Sequence, residues 1–392
     1  MRLVLTNELL DFQRQVRAHV AAHRPDLPRL PGTRSPESKD MPAYRKWCGS
    51  LFSAGLMGSD WPVEWGGAGS TDSLRDFVLD EELAAARVPR AIGAWNLVSA
   101  ALFTHGSEHQ KRTYLPRIRS FEDLWCQLFS EPEAGSDLAS LRATAKRTDD
   151  GWVINGQKVW TTHAHVADIG FLLARTDPAA PKHQGISAFV VHMQSPGITV
   201  RPLRDITGAS DFNEVFFDDV LLPVDAIIGE PGQGWEITRS ALARERSHSV
   251  REDPVVAKIA RLVAFAAETA DTTGSTLLDR HDVRQRLGYL YARAHATDIL
   301  GFEGVLREMA CSERIFDAPV VKLMFSETNL EAVDYAVELL GEPAVLGEED
   351  PLAPDDGYWQ KALLFARGYT ISAGSSEILR TLVAERGLGL PR

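Results

Sequence analysis

The spacing of apolar residues changes twice along this chain of 392 residues and divides it into three parts. Up to about residue 125 apolar side chains recur every three or four positions, as in amphipathic helices. Between residues 128 and 228 they form short β-branched and aromatic runs, broken by Gly, Pro, Asn and Asp, which is typical of strands. Helical patterns then return. We therefore predict an α+β fold with an amino-terminal helical domain (1–125), a middle β-barrel-like or sandwich domain (126–232) and a carboxy-terminal four-helix bundle (233–392).

Composition and charge narrow the class of protein. With 44% hydrophobic residues and a net charge of −12, the chain has the composition of a globular protein with a large core, and it lacks the basic surface of a nucleic-acid binder. No apolar run approaches the ~18 residues of a membrane span, and no signal-peptide core is present. Cys48, Cys126 and Cys311 lie far apart, without metal-ligand spacing. We expect buried thiols, no metal site and a cytoplasmic protein.

Two short motifs carry most of the chemical information. Residues 127–140 have the composition of a loop, in which small residues let backbone N–H groups approach a ligand and Ser130 and Ser136 supply hydroxyl donors. Asn155-Gly156 predicts a hairpin whose second strand ends with a tryptophan and two threonines at 160–162. An indole can stack on a planar ring, and a threonine can hydrogen-bond to a ring nitrogen. Either motif alone is more often an ordinary turn, but together they indicate a cofactor site.

In order and spacing these motifs resemble the flavin-binding signature of the acyl-CoA dehydrogenases. Three further segments, 61–69, 229–235 and 371–380, resemble the early loop, the sheet-to-bundle junction and the carboxy-terminal motif of that family. The resemblance covers nearly the whole chain and implies the family's fold, an FAD cofactor and oxidation of an acyl thioester to a trans-2-enoyl product. By the same resemblance the FAD contacts are Gln127, Leu128, Phe129, Ser130, Gly135, Ser136, Trp160, Thr161, Thr162, Ser375 and Glu377.

This reaction needs a carboxylate that removes the α-proton while the β-hydrogen leaves as hydride to flavin N5. Much of the family uses a glutamate at the position that is Ala373 here. A minority pattern places the carboxylate on the first bundle helix, directly before an arginine, and Glu245 and Arg246 match it. We therefore predict Glu245 as the base; the alternative is a solvent-exposed helical glutamate. The resemblance also implies substrate contacts from Ser136, Arg246, Ala373 and Gly374, including a backbone N–H to the thioester oxygen.

The second half of the usual cofactor site looks degraded. In homotetrameric relatives a neighbouring subunit contacts the adenosine diphosphate of the flavin with an Arg, a Phe and a Gln-Ile-Leu-Gly-Gly segment, where this chain has Ala270, Thr273 and 338–342. The glutamates of that last segment would repel a pyrophosphate. This pattern resembles the catalytic subunits of actinobacterial steroid side-chain-type acyl-CoA dehydrogenases, which are heterotetramers. We predict such a heterotetramer with a second chain of the family, or a homo-oligomer.

Other possibilities stay open at this stage. The thioester carrier is coenzyme A or an acyl carrier protein, and the resemblance implies an electron-transfer flavoprotein as the acceptor. A flavin monooxygenase or oxidase on the same fold is one alternative function. A supporting subunit that only completes the flavin site of another chain is a second. It is disfavoured because this chain keeps Ser130, Ser136, Trp160 and Thr162 and has lost the other half of the site.

Overall fold

The computed structural model describes residues 5–27, 36, 39–69, 74–239, 241, 255–270, 274–310, 312 and 314–391. The chain divides into two compact units, Met1–Glu245 and Arg246–Arg392. The first unit contains helices followed by a β-sheet, and the described part of the second is helical. None of the described helices combines the length and apolar composition that a membrane crossing requires.

The helices that precede the sheet have well-defined starts. They are α1 Asn7–His23, α2 Met41–Ser53, α3 Leu74–Ala85, α4 Trp95–His105 and α5 Glu108–Ser120. Thr6 caps α1, and Ser107 and Gln110 form a reciprocal capping box at α5. Of the apolar residues whose spacing predicts this helix, α1 buries Leu9, Phe12, Val16 and Val20, whereas Leu10 is 37% exposed. Cys48 and Cys126 are buried as expected, whereas Cys311 lies outside the described residues.

The β-sheet is mixed and surrounds an apolar core. Its strands are β1 Trp125–Leu128, β2 Thr144–Thr148, β3 Gly151–Thr162, β4 Ile169–Arg175, β5 Ile186–His192, β6 Ile198–Leu203, β7 Phe212–Leu222 and β8 Ile227–Ile228. The hydrogen-bonded order is β6-β7-β3-β2-β4-β5-β8, and β1 pairs with β4 in parallel. The β3–β7, β4–β5 and β6–β7 pairs are antiparallel. Fully buried Leu172, Phe189 and Val215 belong to the core that these strands enclose.

Two polar contacts fix the helices on the sheet. The buried Gln110 donates from Nε2 to the carbonyl oxygens of Asp225 and Ile227, each at 2.8 Å. Arg45 of α2 forms an ion pair with Asp168 at 2.8 Å. Asp168 also accepts the backbone N–H of the residue that precedes β1, at 2.8 Å. The start of β1 is therefore held in place, and the other end of that strand leads into the loop predicted to contact a cofactor.

The prediction of a hairpin at Asn155-Gly156 is wrong. Both residues lie inside β3, which continues without interruption, and the turn lies before that strand, after β2. The side chain of Asn155 bonds with Asp219 of β7 at 2.8 and 3.0 Å, where the register of the two strands shifts. Gly156 has a φ of +143°, and a Cβ on it would lie 2.7 Å from the Cα of Ala143. The dipeptide therefore serves a β-bulge and a close backbone approach.

The second unit contains α6 Val255–Glu268, α7 His281–Met309, α8 Asp317–Leu340, α9 Tyr358–Tyr369 and α10 Ser376–Leu382. Its core includes Ile259, Leu290, Phe325 and Trp359. The apolar pattern predicts one helical segment over 358–383, but the structure breaks it between α9 and α10. There Ala373 and Gly374 have positive φ angles of 52° and 99°, which a right-handed helix cannot accommodate.

Candidate functional site

The segment that follows β1 is fixed by its backbone and by one aromatic contact. The buried ring of Phe129 meets Phe171 of β4 nearly edge-on, with the centroids 5.3 Å apart. The carbonyl oxygen of Ser130 accepts the N–H of Val159 at 2.9 Å, which ties the segment to β3. Of the predicted cofactor contacts here, Leu128 and Phe129 are buried, and Gln127 and Ser130 are partly exposed.

A buried ion pair lies next to this segment. Lys158 is fully buried, and its Nζ donates to the carbonyl oxygen of Phe129 at 3.0 Å and to Oε1 of Glu131 at 2.8 Å. The Glu131 carboxylate also accepts the N–H groups of Arg142 at 2.6 Å and Ala143 at 2.9 Å. Burial lowers the pKa of Lys158 to about 8, an effect that the charge of Glu131 partly offsets. Through these contacts Glu131 holds the two ends of the loop together.

The far end of the loop is held by a second set of contacts. Asp137 accepts the hydroxyl of Ser140 at 2.6 Å, and its two carboxylate oxygens accept the ammonium of Lys182 at 2.7 and 2.5 Å. The hydrogen bond from Lys182 lowers the pKa of Asp137. Arg175 of β4 donates to two carbonyl oxygens of the loop, at 2.7 Å and 3.1 Å. Both ends of the loop are thus anchored to the sheet side of the molecule.

Between these anchors the tip of the loop is open. Gly135 and Ser136 are exposed. None of the described residues lies within 4 Å of a Cβ built on Gly135, so their packing does not require a glycine there. A bare backbone next to an exposed hydroxyl suits the close approach of a phosphate or another oxygen-rich group.

The end of β3 presents an exposed tryptophan. Trp160 is 56% exposed, has a φ of +59°, and meets Phe212 edge-on at 5.9 Å. A left-handed conformation is uncommon for an aromatic residue and coincides with a register shift between β3 and β7. Thr161 is buried, and its Oγ1 has no hydrogen-bond partner within the described part of the chain. Thr162 is partly exposed. An exposed indole beside these threonines suits a planar ring with hydrogen-bonding edges.

The sequence motifs assign no role to Lys158 or Asn213. Asn213 is fully buried opposite Thr161, donates from Nδ2 to the Thr161 carbonyl oxygen at 3.0 Å, and lies 3.1 Å from Nδ1 of His165. Its Oδ1 has no hydrogen-bond partner among the residues that the structure describes. The two-residue period of β3, counted from the buried Trp152, places Lys158 inward and so predicts an acidic partner. The same period on β7, counted back from the buried Val215, places Asn213 inward as well, but it does not name its partners.

The predicted tail motif forms a turn in the second unit. The buried Lys322 donates from Nζ to the carbonyl oxygens of Tyr369 at 2.7 Å and Gly374 at 2.8 Å, on either side of left-handed Ala373. Ser375 caps α10, with its hydroxyl oxygen 3.4 Å from the N–H of Ile378. Hydrogen bonds from its own backbone N–H and from Ser375 lower the pKa of the exposed Glu377. Lys322 and Ser375 therefore hold this turn in place.

Other predicted positions are exposed or lie outside the described residues. Glu245, Arg246 and Thr273 belong to the second group, so the structure does not test the assigned base. Ala270 and both glutamates of the 338–342 segment are exposed. Within the described ranges, no group of three or more His, Cys, Asp or Glu side chains could hold a metal ion.

The geometry of the first unit fits a planar, phosphate-bearing cofactor. Trp160 offers a face for stacking, Thr161 contributes a buried hydroxyl that still needs a partner, and the loop tip offers an unobstructed backbone. The fit depends on the anchored loop and the strand end, which the hydrogen bond between Val159 and Ser130 places side by side. FAD has this combination of an aromatic ring system and a pyrophosphate.

Sequence comparison assigns the family. The chain matches the acyl-CoA dehydrogenase N-terminal domain over residues 6–122, the middle domain over 126–220 and the C-terminal domain over 232–388. These matches span the helical, β and helical parts in the predicted order and confirm the three-part fold. The chain therefore belongs to the acyl-CoA dehydrogenase family, whose members are flavin-dependent oxidoreductases.

Individual relatives and solved structures show which members of the family this chain resembles. The chain is 36% identical over 391 residues to acyl-CoA dehydrogenase IpdE1 of Mycobacterium tuberculosis, covering 97% of this chain and 98% of that protein. It is similar in structure to the ChsE4-ChsE5 complex from Mycobacterium tuberculosis, with a TM-score of 0.86, 29% identity and full coverage of both chains. The Tcur3481-Tcur3483 steroid ACAD has a TM-score of 0.84 and 29% identity, also with full coverage. The resemblance to actinobacterial steroid-type acyl-CoA dehydrogenases is thus confirmed.

Proposed function

We propose that this chain uses FAD to oxidise the Cα–Cβ bond of an acyl-CoA thioester and releases the trans-2-enoyl-CoA. Family membership supports the class of reaction. The observation that carries the cofactor assignment is the exposed indole of Trp160, one residue beyond the hydrogen bond that joins β3 to Ser130. Bound FAD supplies the two-electron oxidation by accepting the β-hydrogen as hydride at N5.

The proposed cofactor contacts follow the motifs of the loop after β1 and the end of β3. Trp160 stacks on the ring system, and the threonines after it hydrogen-bond to the ring edge. The exposed hydroxyl of Ser136 and the bare backbone of Gly135 face the pyrophosphate, and Ser136 also contacts the substrate. The complete proposed set is Gln127, Leu128, Phe129, Ser130, Gly135, Ser136, Trp160, Thr161 and Thr162, and the resemblance of the tail motif adds Ser375 and Glu377.

For the substrate side we propose that Glu245 removes the α-proton, with Arg246 beside it. An apolar acyl channel raises the pKa of such a carboxyl towards a working value. The backbone N–H of Ala373 or Gly374 then stabilises the thioester oxygen as negative charge develops on it. The left-handed conformation of Ala373 supports this role, because Lys322 bonds on both sides of it maintain a strained backbone that Ala would not adopt freely.

We further propose that the chain works in a heterotetramer with a second acyl-CoA dehydrogenase-like chain. The lack of Arg and Phe at Ala270 and Thr273, and the two exposed glutamates at 338–342, support this, because a partner could supply the missing contacts. The similar ChsE4-ChsE5 and Tcur3481-Tcur3483 structures are named as pairs of chains. A homo-oligomer is the alternative. The proposed substrate is a bulky or polycyclic acyl thioester of coenzyme A, with an acyl carrier protein as the alternative carrier. The proposed acceptor is an electron-transfer flavoprotein, and the proposed domain boundaries follow residues 125 and 232.

Flavin content and anaerobic reduction test this function. The chain is purified alone and with a candidate partner, its FAD is quantified by absorbance, and a panel of linear, branched and polycyclic acyl-CoA thioesters is added without oxygen. Bleaching of the flavin by a thioester is expected in the wild type and not in Glu245→Gln. Glu236→Gln, an exposed glutamate in the helical residues 234–239, serves as the matched control and should bleach normally.

The outcomes separate the competing functions. Bleaching that survives Glu245→Gln would show that another group is the base. Fast reaction of the reduced flavin with oxygen would favour an oxidase or monooxygenase. FAD that appears only with the partner, and that bleaches only through a base on the partner, would identify this chain as a supporting subunit.

A further inference from the structure

The side chain of Lys158 is the first element of a connection inside the first unit. This lysine is completely buried on β3, two positions before the exposed Trp160. Its ammonium bonds to the carbonyl oxygen of Phe129 at 3.0 Å and to Glu131 at 2.8 Å. One side chain therefore joins the strand that carries the indole to the loop that carries Ser130.

Glu131 extends the connection to the far end of the loop. Its two carboxylate oxygens accept N–H groups from Arg142 and Ala143, at 2.6 and 2.9 Å. The loop between these positions contains the exposed tip at Gly135 and Ser136. The pair thus links three backbone segments: the end of β3, the start of the loop and its return towards β2.

Stability alone does not account for this pair. Removing two charges from water is unfavourable, and apolar residues of similar volume often stabilise a protein as well or better. The depressed pKa of Lys158 reflects that desolvation. An apolar pair could not form the four directed hydrogen bonds by which Lys158 and Glu131 join these backbone segments.

We infer that Lys158 and Glu131 are positioning residues that fix the distance between the indole of Trp160 and the loop tip, and so prepare both to contact one ligand together. This inference rests on the proposed function, because it takes FAD as that ligand. It assigns neither residue a contact with the cofactor. A preformed site avoids the cost of ordering the loop when the ligand binds.

The test separates positioning from stability with two variants of the full-length chain. Lys158→Met leaves Glu131 charged and unpaired, whereas Lys158→Met/Glu131→Gln contains no buried charge. FAD binding to the apoprotein is measured by fluorescence, thermal stability by circular dichroism, and backbone protection over residues 129–143 by hydrogen exchange. Lys146→Met, an exposed lysine on β2, is the matched control and should behave as the wild type.

We expect the double variant to regain most of the thermal stability that Lys158→Met loses, while both keep a Kd for FAD raised about tenfold or more, because the bond to Phe129 is absent in each. A Kd that returns to the wild-type value together with stability would overturn the inference.

If the single variant does not fold, the double variant is compared directly with the wild type under the same criterion. If the wild type itself binds no FAD, the proposed function is in question, and the inference is judged by exchange: faster exchange over residues 129–143 in the double variant supports it, and unchanged exchange contradicts it.

Discussion

Replacing Trp160 with alanine should weaken FAD binding while leaving the fold almost as stable as before. Because 56% of this residue is exposed, the protein itself gains little from the indole. Its aromatic contact is the edge-on approach to Phe212 at 5.9 Å, and such a pair contributes about 1 kcal/mol. The left-handed backbone strain is similar for alanine and tryptophan. The free energy of unfolding should therefore fall by about 1 kcal/mol or less.

The effect on the cofactor should be larger. Aromatic stacking contributes ~1 kcal/mol beyond area, and covering roughly 50 Å² of indole at ~25 cal/mol per Å² adds a similar amount. The sum of about 2 kcal/mol corresponds to a Kd for FAD raised roughly 30-fold. Trp160→Phe should retain part of this affinity, because a smaller ring still stacks.

The assay is a titration of apoprotein with FAD, followed by flavin fluorescence, together with thermal unfolding by circular dichroism. Leu221→Ala is the control, since Leu221 lies on β7 of the same sheet and is similarly exposed at 55%. An unchanged Kd in Trp160→Ala would refute the stacking argument. A loss of several kcal/mol in stability would refute the premise that the indole is a surface group.

Three further predictions concern stability. Gln110→Leu should lower the free energy of unfolding by about 3 kcal/mol, because three backbone groups lose the buried side chain to which they are hydrogen-bonded. Urea unfolding measures this loss, and Gln285→Leu, at an exposed position on α7, is the control. Ala373→Gly should raise the free energy of unfolding by up to ~1 kcal/mol by relieving a φ of 52°, and a loss of stability in urea would contradict that account. Burial lowers the pKa of Lys158 to about 8 in the folded chain from an ordinary value of 10.5, so between these values the unfolded chain binds a proton that the folded chain has released. The contribution of this lysine to stability therefore rises with pH in that window. Above pH 8 the urea midpoint of the wild type should increase relative to that of Lys158→Met. A constant difference between the two midpoints would disprove the shift.

Local signals were sufficient where neighbours in sequence decide the structure. The apolar period and the Thr6 cap define α1, and the change of period separates helical and β parts. Asn155-Gly156 shows where such signals fail. The same dipeptide suits a tight turn or a bulge, and the choice depends on Asp219 and Ala143, which approach from other strands.

The candidate site divides in the same way. The loop and strand end were identified by composition and resemblance, and the structure places Ser130 beside the strand that carries Trp160. Lys158 could have been found from its inward position on β3, because a buried lysine needs an acid. The period of β7 likewise places Asn213 inward, but its partners could not be predicted, since they depend on the register between β3 and β7. Glu245 stays a prediction.

The anchors of the loop between β1 and β2 have an evolutionary consequence. Arg175 binds the carbonyl oxygens of Ala139 and Leu141, and Glu131 binds the N–H groups of Arg142 and Ala143. Every amino acid brings that carbonyl, and every one except proline brings that N–H. These hydrogen bonds therefore constrain the backbone and not the side chains, apart from excluding proline at 142 and 143. The exposed Arg142 can change widely while the loop is inherited, whereas burial limits what can replace Ala139, Leu141 and Ala143.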